Sequence, residues 1–551
     1  MTVSGLGVVI ALVLFLVSTS PSLLPRPWWA QAGFSGVIMV VGYLLGFSID
    51  WVVRIIGDLI EWRVSYNRTL EAWLLAACYL AFAIAFVFAL WRNYRHSCHT
   101  AALVGMRAPS RRSYLAALAG SFGVALVFVL IYAGIHALWR ILMHLAVPTF
   151  PRSVAAVISW LLVALIAWVA FEWGIIKQGV RTMSRKSALR NRQLPDGVSA
   201  PHLPERSAGP ASVITWDETS REGKRFLGGQ AQAPHIAQVS GEPAREPVRV
   251  YASLGDNEDY ASAVDKALED LHRLGGLERP HLLVVVPTGS GWVDEWNVQA
   301  FEHLTGGNCA TIAVQYSFLP SWITFLSKRS QASEGGRLII DSVLAAIAQR
   351  DPKSRPKVYV TGESLGAYGA QAAFTSVANM LHRVDGALWI GTPGFTPLLL
   401  DIARQRHRGS PQIAPVIDNA RHIRSATTPG DLTSDRYGRE LGEWLYPRIV
   451  YVQHASDPVV WWHPSLWRTQ PDWIREKAGS DVSDTLTWHP LVTFGQLLSD
   501  LPLAESAPSG HGHSYHSELL AAWRAILGIS DGEIDEDGDA RIAARIAAHL
   551  T

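Results

Sequence analysis

Charge is what this chain has least of. Only 17% of its 551 residues are Asp, Glu, Lys or Arg, against roughly 25% in an average soluble protein. Hydrophobic residues make up 49%. A disordered, collagen-like or coiled-coil chain is thereby excluded for the bulk of the sequence, and so is an ordinary wholly soluble protein. Cysteine is nearly absent: Cys78, Cys98 and Cys309 cannot build a disulfide framework, and no CxxC pair exists to hold a metal. His96, Cys98 and His99 cluster but lack an evident fourth ligand, so the expectation is no metal and no cofactor. Acidic residues are scarce where the chain begins. Residues 1–195 contain 17 Lys or Arg and 5 Asp or Glu, whereas the remainder contains 31 and 42. An acidic C-terminal part lacks the basic face that phosphate backbones require, which excludes nucleic acid as a partner.

The scarcity of charge is concentrated in long apolar runs, at Leu6–Val17, Phe34–Ile56, Leu70–Trp91, Tyr114–Leu145 and Val154–Ile176. The last four reach the roughly 20 residues needed to cross the hydrocarbon of a bilayer. The first is shorter. A signal peptide competes there, but Met1–Gly5 has no basic residue. Five spans are expected, with four as the alternative. Basic residues gather after the third run (Arg92, Arg95, Arg107, Arg111, Arg112) and after the fifth (Lys177, Arg181, Arg185, Lys186, Arg190, Arg192). Positive loops stay inside, so the expectation is a multi-pass membrane protein whose C-terminal part lies in the cytoplasm. Arg54, Arg63 and Arg68 count mildly against this, offset by Asp58 and Glu61. Asp50 and Arg54, four apart, read as a pair on one helix face rather than as part of a charge relay.

The expected organisation is a transmembrane helical domain over 1–185, a partly docked linker over 186–246, an α/β domain over 247–530, and an acidic turn with a short helix over 531–551. The linker is rich in Pro, Ser, Gly, Arg and Gln, but Val213–Trp216 and Arg225–Leu227 are apolar enough to dock. Beyond it, apolar strands at Val248–Ala252, His281–Val286, Thr311–Tyr316, Lys357–Thr361, Ala387–Ile390 and Arg448–Gln453 alternate with helical segments. Unbroken apolar strands between helices predict a mostly parallel sheet covered on both faces. The acidic tail Asp531–Asp539 does not match a calcium loop, since counting from Asp535 places glycine at the wrong position.

Gly362-Glu363-Ser364-Leu365-Gly366 is a G-x-S-x-G motif. Such a motif places a serine on a sharp turn from strand to helix, with glycines where side chains would collide. Val358–Val360 before it and Ala367–Ala373 after it supply the strand and the helix, so Ser364 is the candidate nucleophile. A serine needs a base, and the base an orienting acid. Asp457, just past the strand Ile449–Val452, is the candidate acid, with Asp431 and Asp435 in reserve. Gly510-His511-Gly512-His513 offers the base, His513 first and His511 second. Backbone donors for an oxyanion are expected from Leu365 and from Thr288 or Gly289 in the glycine-rich loop after His281–Val286. The chain has 22 tryptophans. Trp292, Trp461 and Trp462 are candidates to line a substrate pocket.

These motifs resemble a bacterial family that joins a multi-span N-terminal domain to a C-terminal α/β-hydrolase domain. The resemblance rests on Arg249–Leu254, Pro287-Thr288-Gly289-Ser290-Gly291-Trp292-Val293-Asp294, the Ser364 motif and Gly510–Tyr515. It implies an α/β-hydrolase fold and a serine hydrolase site, without naming a substrate. The expectation is a membrane-tethered esterase or lipase acting on a carboxylic ester, of a lipid or another acylated molecule, through an acyl-enzyme. A membrane sensor or transport accessory using the same fold as a binding module is the alternative.

Overall fold

The computed structural model describes residues 4–59, 68–228, 232–255, 259–320, 323–325, 329–529 and 536–550. Arg63 and Glu61, which weigh on orientation, and the first residues of the acidic tail lie outside these. The chain divides into two compact units. One comprises Met1–Met183, Pro464–Ile474 and Ser480–Leu503, and the other the remainder. Two segments that the sequence reading assigned to the α/β domain therefore belong to the helical unit.

In the helical unit, Trp28–Gly57, Ala76–Leu103, Arg111–Ala146 and Arg152–Gly174 are long and apolar enough to cross a membrane, and Gly5–Ser18 is a shorter apolar helix. Leu80, Val87, Leu130 and Leu161 are each more than 60% exposed, an arrangement that water would penalise heavily. Small residues let the first two helices meet closely: a Cβ on Gly46 would lie 2.7 Å from the Gly7 Cα. Asp50 pairs with Arg54 at 3.1 Å, and Glu172 with Lys177 at 2.9 Å. The late segment is fastened by Asp500, fully buried, which accepts from Ser22 and from Arg26 Nε at 2.6 Å.

The second unit is built on a seven-stranded sheet: β1 (Val248–Ala252), β2 (His281–Val286), β3 (Cys309–Val314), β4 (Lys357–Glu363), β5 (Gly386–Ile390), β6 (Ile423–Ala426) and β7 (Arg448–Val452). Their spatial order is β1-β3-β2-β4-β5-β7-β6, and every pairing is parallel. Parallel strands require crossovers, and helices supply them on both faces. Arg329–Ala348 packs with both Tyr260–Arg273 and Leu365–Gln371, and Glu295–Leu304 packs with Glu518–Leu527. The central strands bury nearly every residue, as two covered faces demand.

β1 is an edge strand, and an edge left open invites other chains. Residues 205–207 close it. Arg249 N–H donates to the Glu205 carbonyl at 3.0 Å, and Ser207 N–H donates to the Arg249 carbonyl at 2.9 Å. Much of the segment composed like a linker is thus docked, with Phe226 and Leu227 buried in the core. The Arg249 side chain is fully buried. It donates to Glu302 through Nε at 2.7 Å and through a terminal nitrogen at 2.8 Å, and to the Phe226 carbonyl at 2.6 Å. A fork of this kind is sound only while complete. Glu302→Ala should therefore cost about 3 kcal/mol. The thermal midpoint of the purified chain should fall by roughly 4 °C, and an unchanged midpoint would contradict a structural role for the pair.

Candidate active site

Ser364 sits between β4 and the helix Leu365–Gln371, with φ 55° and ψ −122°. A non-glycine residue in this conformation is strained. It is held there by its own N–H, which donates to the Ile390 carbonyl on β5 at 2.9 Å. A Cβ on Gly366 would run into the Val286 and Pro287 carbonyl oxygens, and one on Gly362 would lie 2.5 Å from the Gly366 carbonyl carbon. The motif's glycines are thus a packing requirement of the turn.

The turn opens at the C-terminal edge of the sheet, where parallel α/β sheets form their crevices. Asp457 follows β7 at the same edge and is fully buried. Its Oδ1 accepts from Val459 N–H at 2.8 Å. Its Oδ2 accepts from His513 Nδ1 at 2.6 Å and from the Tyr515 hydroxyl at 2.8 Å. His513 is itself buried. Its backbone N–H donates to the Ala504 carbonyl at 2.9 Å. Gly391, at φ 51°, leaves room for the imidazole: a Cβ there would strike its Cε1. The loop carrying His513 is fastened twice more. Gly512 N–H donates to Ser456 Oγ at 2.8 Å, and the His454 ring, stacked on Tyr515 at 4.2 Å, bonds the Gly512 carbonyl at 2.9 Å.

Burial alone would lower the His513 pKa. The charge and hydrogen bond of Asp457 outweigh it, and Glu363 and Glu505 add to them, so the imidazole is held up at about 9. With Nδ1 committed to Asp457, Nε2 is the free position. It has no hydrogen-bond partner and lies 3.7 Å from Glu363 Oε1. The bond from Ser364 to His513 that a resting triad would show is therefore not formed. Such bonds often tighten only with substrate in place.

Ser364 and His513 line one cleft of about 850 Å³, together with Thr288, Trp292 and Asp294. Leu365 occupies the first position of its helix, where an N–H has no intrahelical acceptor. Thr288 N–H, by contrast, donates to the Trp292 carbonyl at 3.0 Å. That commits it to the loop's own turn; Gly289, the other residue named for this loop, is not among the residues lining the cleft. Other sequence candidates fall elsewhere. His511 does not line the cleft. Asp431 accepts from Thr427 and Thr428, and Asp435 pairs with Arg439 at 2.6 Å. Trp461 and Trp462 are buried and do not line this cleft. The Trp461 Nε1 donates to the Ala455 carbonyl at 2.7 Å, and Trp462 packs on Phe325 at 5.5 Å. Sequence reasoning passed over Glu363, Asp294 and Tyr515. The position beside the nucleophile and the Asp-Glu pair opening a helix were the available signals.

A seven-stranded parallel sheet carrying a serine on a strained turn after its central strand defines the α/β-hydrolase class. Residues 248–539 match the model of a family described as an alpha/beta-hydrolase family, and residues 19–230 match the model of that family's N-terminus. The first match spans more than half the chain, and the chain belongs to this family. No curated protein and no solved structure gives a significant match.

Tyr515 joins two buried groups, since its oxygen also accepts from His454 N–H at 3.2 Å. Tyr515→Phe leaves that N–H without an acceptor and removes one donor from Asp457. It should destabilise the chain by about 1–3 kcal/mol, read as a lower unfolding midpoint. No shift would show that the hydroxyl is dispensable.

Proposed function

We propose that the chain is a membrane-anchored serine hydrolase that cleaves a carboxylic ester of a lipid or another acylated substrate. The observation carrying this reading is the 2.6 Å bond between Asp457 and His513, in the cleft that Ser364 also lines. Ser364 Oγ attacks the ester carbonyl, and His513 Nε2 takes its proton. The tetrahedral oxyanion is held by the Leu365 N–H. His513 then returns the proton to the leaving alcohol, and the acyl-enzyme is released by water activated in the same way. Asp457 holds the imidazole in the productive tautomer. Four helices able to cross a membrane support anchoring. The basic residues that follow the third and fifth apolar runs favour a cytoplasmic side for the catalytic unit.

A fluorophosphonate probe tests the serine directly. Wild-type chain should label. Ser364→Ala and His513→Ala should not, and His511→Ala should label normally. Labelling that survives Ser364→Ala, or a folded wild type that never labels, would overturn the reading. The pH profile follows from the raised imidazole. The base works only when neutral, so kcat/KM should climb with pH through an inflection near 9. Glu363→Gln removes a charge that favours the imidazolium, and should move that inflection to lower pH. An inflection at or below the ordinary histidine value of roughly 6.5 in wild type would contradict this electrostatic description.

A further inference from the structure

Glu363 has no part in the steps just described, yet it stands next to the nucleophile. It is more than nine-tenths buried and lines the cleft, and its Oε2 has no hydrogen-bond partner. Its Oε1 lies 3.7 Å from His513 Nε2. Burial, reinforced by the charge of Asp294, pushes its carboxyl well above the usual range. Asp294 is buried on the same cleft. Its carboxylate caps a helix, accepting from Trp296 N–H at 2.9 Å and Asn297 N–H at 3.3 Å, and burial raises it to about 7.

Among the described residues His513 is the one cation near this pair; its Nε2 faces Glu363 Oε1 at 3.7 Å and offsets the burial only in part, leaving Oε2 without a partner. The two arginines of the cleft lining, Arg190 and Arg225, are exposed, and Arg225 faces Glu222 at 3.5 Å. Glu505, exposed on the lining, adds negative charge. A buried carboxylate without a partner is costly, and it must either hold a proton or receive a cation. Among the described residues no group of three His, Cys, Asp or Glu side chains is arranged to hold a metal ion. A cleft of about 850 Å³ has room for an organic cation attached to a larger molecule.

We propose that Glu363, backed by Asp294, seats an ammonium group of the substrate, so that this site takes esters carrying a positive charge close to the scissile carbonyl. The proposal rests on the Ser364 reading and narrows it. Glu363 adjoins Ser364 in the chain and its carboxylate faces the atom that would receive the serine proton. An ammonium bonded to Oε2 therefore lies only a few ångströms from the ester carbon, on the acyl or the alcohol side. It takes the place of the proton that burial forces onto the carboxyl. A neutral ester leaves Glu363 unsatisfied, and an anionic one is repelled by three carboxyl groups.

Two matched pairs of esters separate the sources of the charge. On the acyl side, alanine p-nitrophenyl ester is compared with isobutyrate p-nitrophenyl ester, in which methyl replaces the ammonium. On the alcohol side, acetylcholine is compared with its carbon isostere, in which tert-butyl replaces trimethylammonium. Each kcat/KM of the purified full chain is divided by the ester's uncatalysed hydrolysis rate. The cationic member should be preferred by about tenfold or more in at least one pair, through a charge-assisted hydrogen bond for the alanine ammonium and through charge attraction alone for the trimethylammonium, which has no N–H. Glu363→Gln should bring that ratio towards one. Asp294→Asn, which keeps a helix-capping side chain, should reduce it in part. Ratios near one in both pairs, in a chain whose Ser364 still labels with fluorophosphonate, would overturn the proposal and leave the serine hydrolase reading standing. A wild-type preference that Glu363→Gln leaves unchanged would also overturn it. Absence of both labelling and turnover would remove the serine reading and this proposal together.

Discussion

The candidate site depends on one backbone constraint. Ser364 is held at φ 55° and ψ −122°, a conformation that costs about 1–3 kcal/mol for a residue with a side chain. The sheet supplies what holds it: the bond from Ser364 N–H to Ile390, and the close approach of Gly366 to the Val286 and Pro287 carbonyl oxygens. Three neighbouring strands are committed to one turn. Relaxing it would break a buried hydrogen bond and open a packed junction. Because the turn follows β4 and Asp457 follows β7, the parallel topology delivers the hydroxyl and the acid to the same sheet edge. His513 comes to that edge from a loop, and the loop is fastened at Ala504, Ser456 and His454.

What could be read from sequence divides along physical lines. Six strands were legible because apolar residues dominate each of them, even β1 with its buried Arg249. β6 was not, since Ile423–Ala426 is four residues long and contains Arg424. Its pairing with β7, rather than its own composition, makes it a strand. Ser364 was legible because the turn imposes a local glycine pattern. Asp457 was legible from its place after a strand. The two histidines could not be separated by sequence, because only three-dimensional packing sends His513 to Asp457. The tryptophans could not be sorted for the same reason: Trp292 lines the cleft, whereas Trp461 and Trp462, near Asp457 in the chain, are buried and do not line it.

The linker illustrates tertiary override. Its Pro, Gly and Ser content suggests solvation, yet residues 205–207 extend the sheet edge and Arg206 is buried, donating to the Leu227 carbonyl at 2.8 Å. Edge protection and a buried guanidinium are properties of a pairing, and a single segment does not display them. Glu363 and Asp294 stayed hidden likewise. Each is an ordinary acid in sequence, and becomes unusual only where burial removes its solvent and brings the two into each other's field. The cleft is therefore more anionic within than the chain's overall net charge of +1 suggests.

The central claim is that Ser364 becomes acylated during turnover. Mass spectrometry of the full chain, quenched within its first turnovers of an ester and then digested, tests this most directly. The account predicts an acyl increment on the peptide containing Ser364 that decays once substrate is exhausted. Turnover with no increment there, or with the acyl group on another residue, would contradict it.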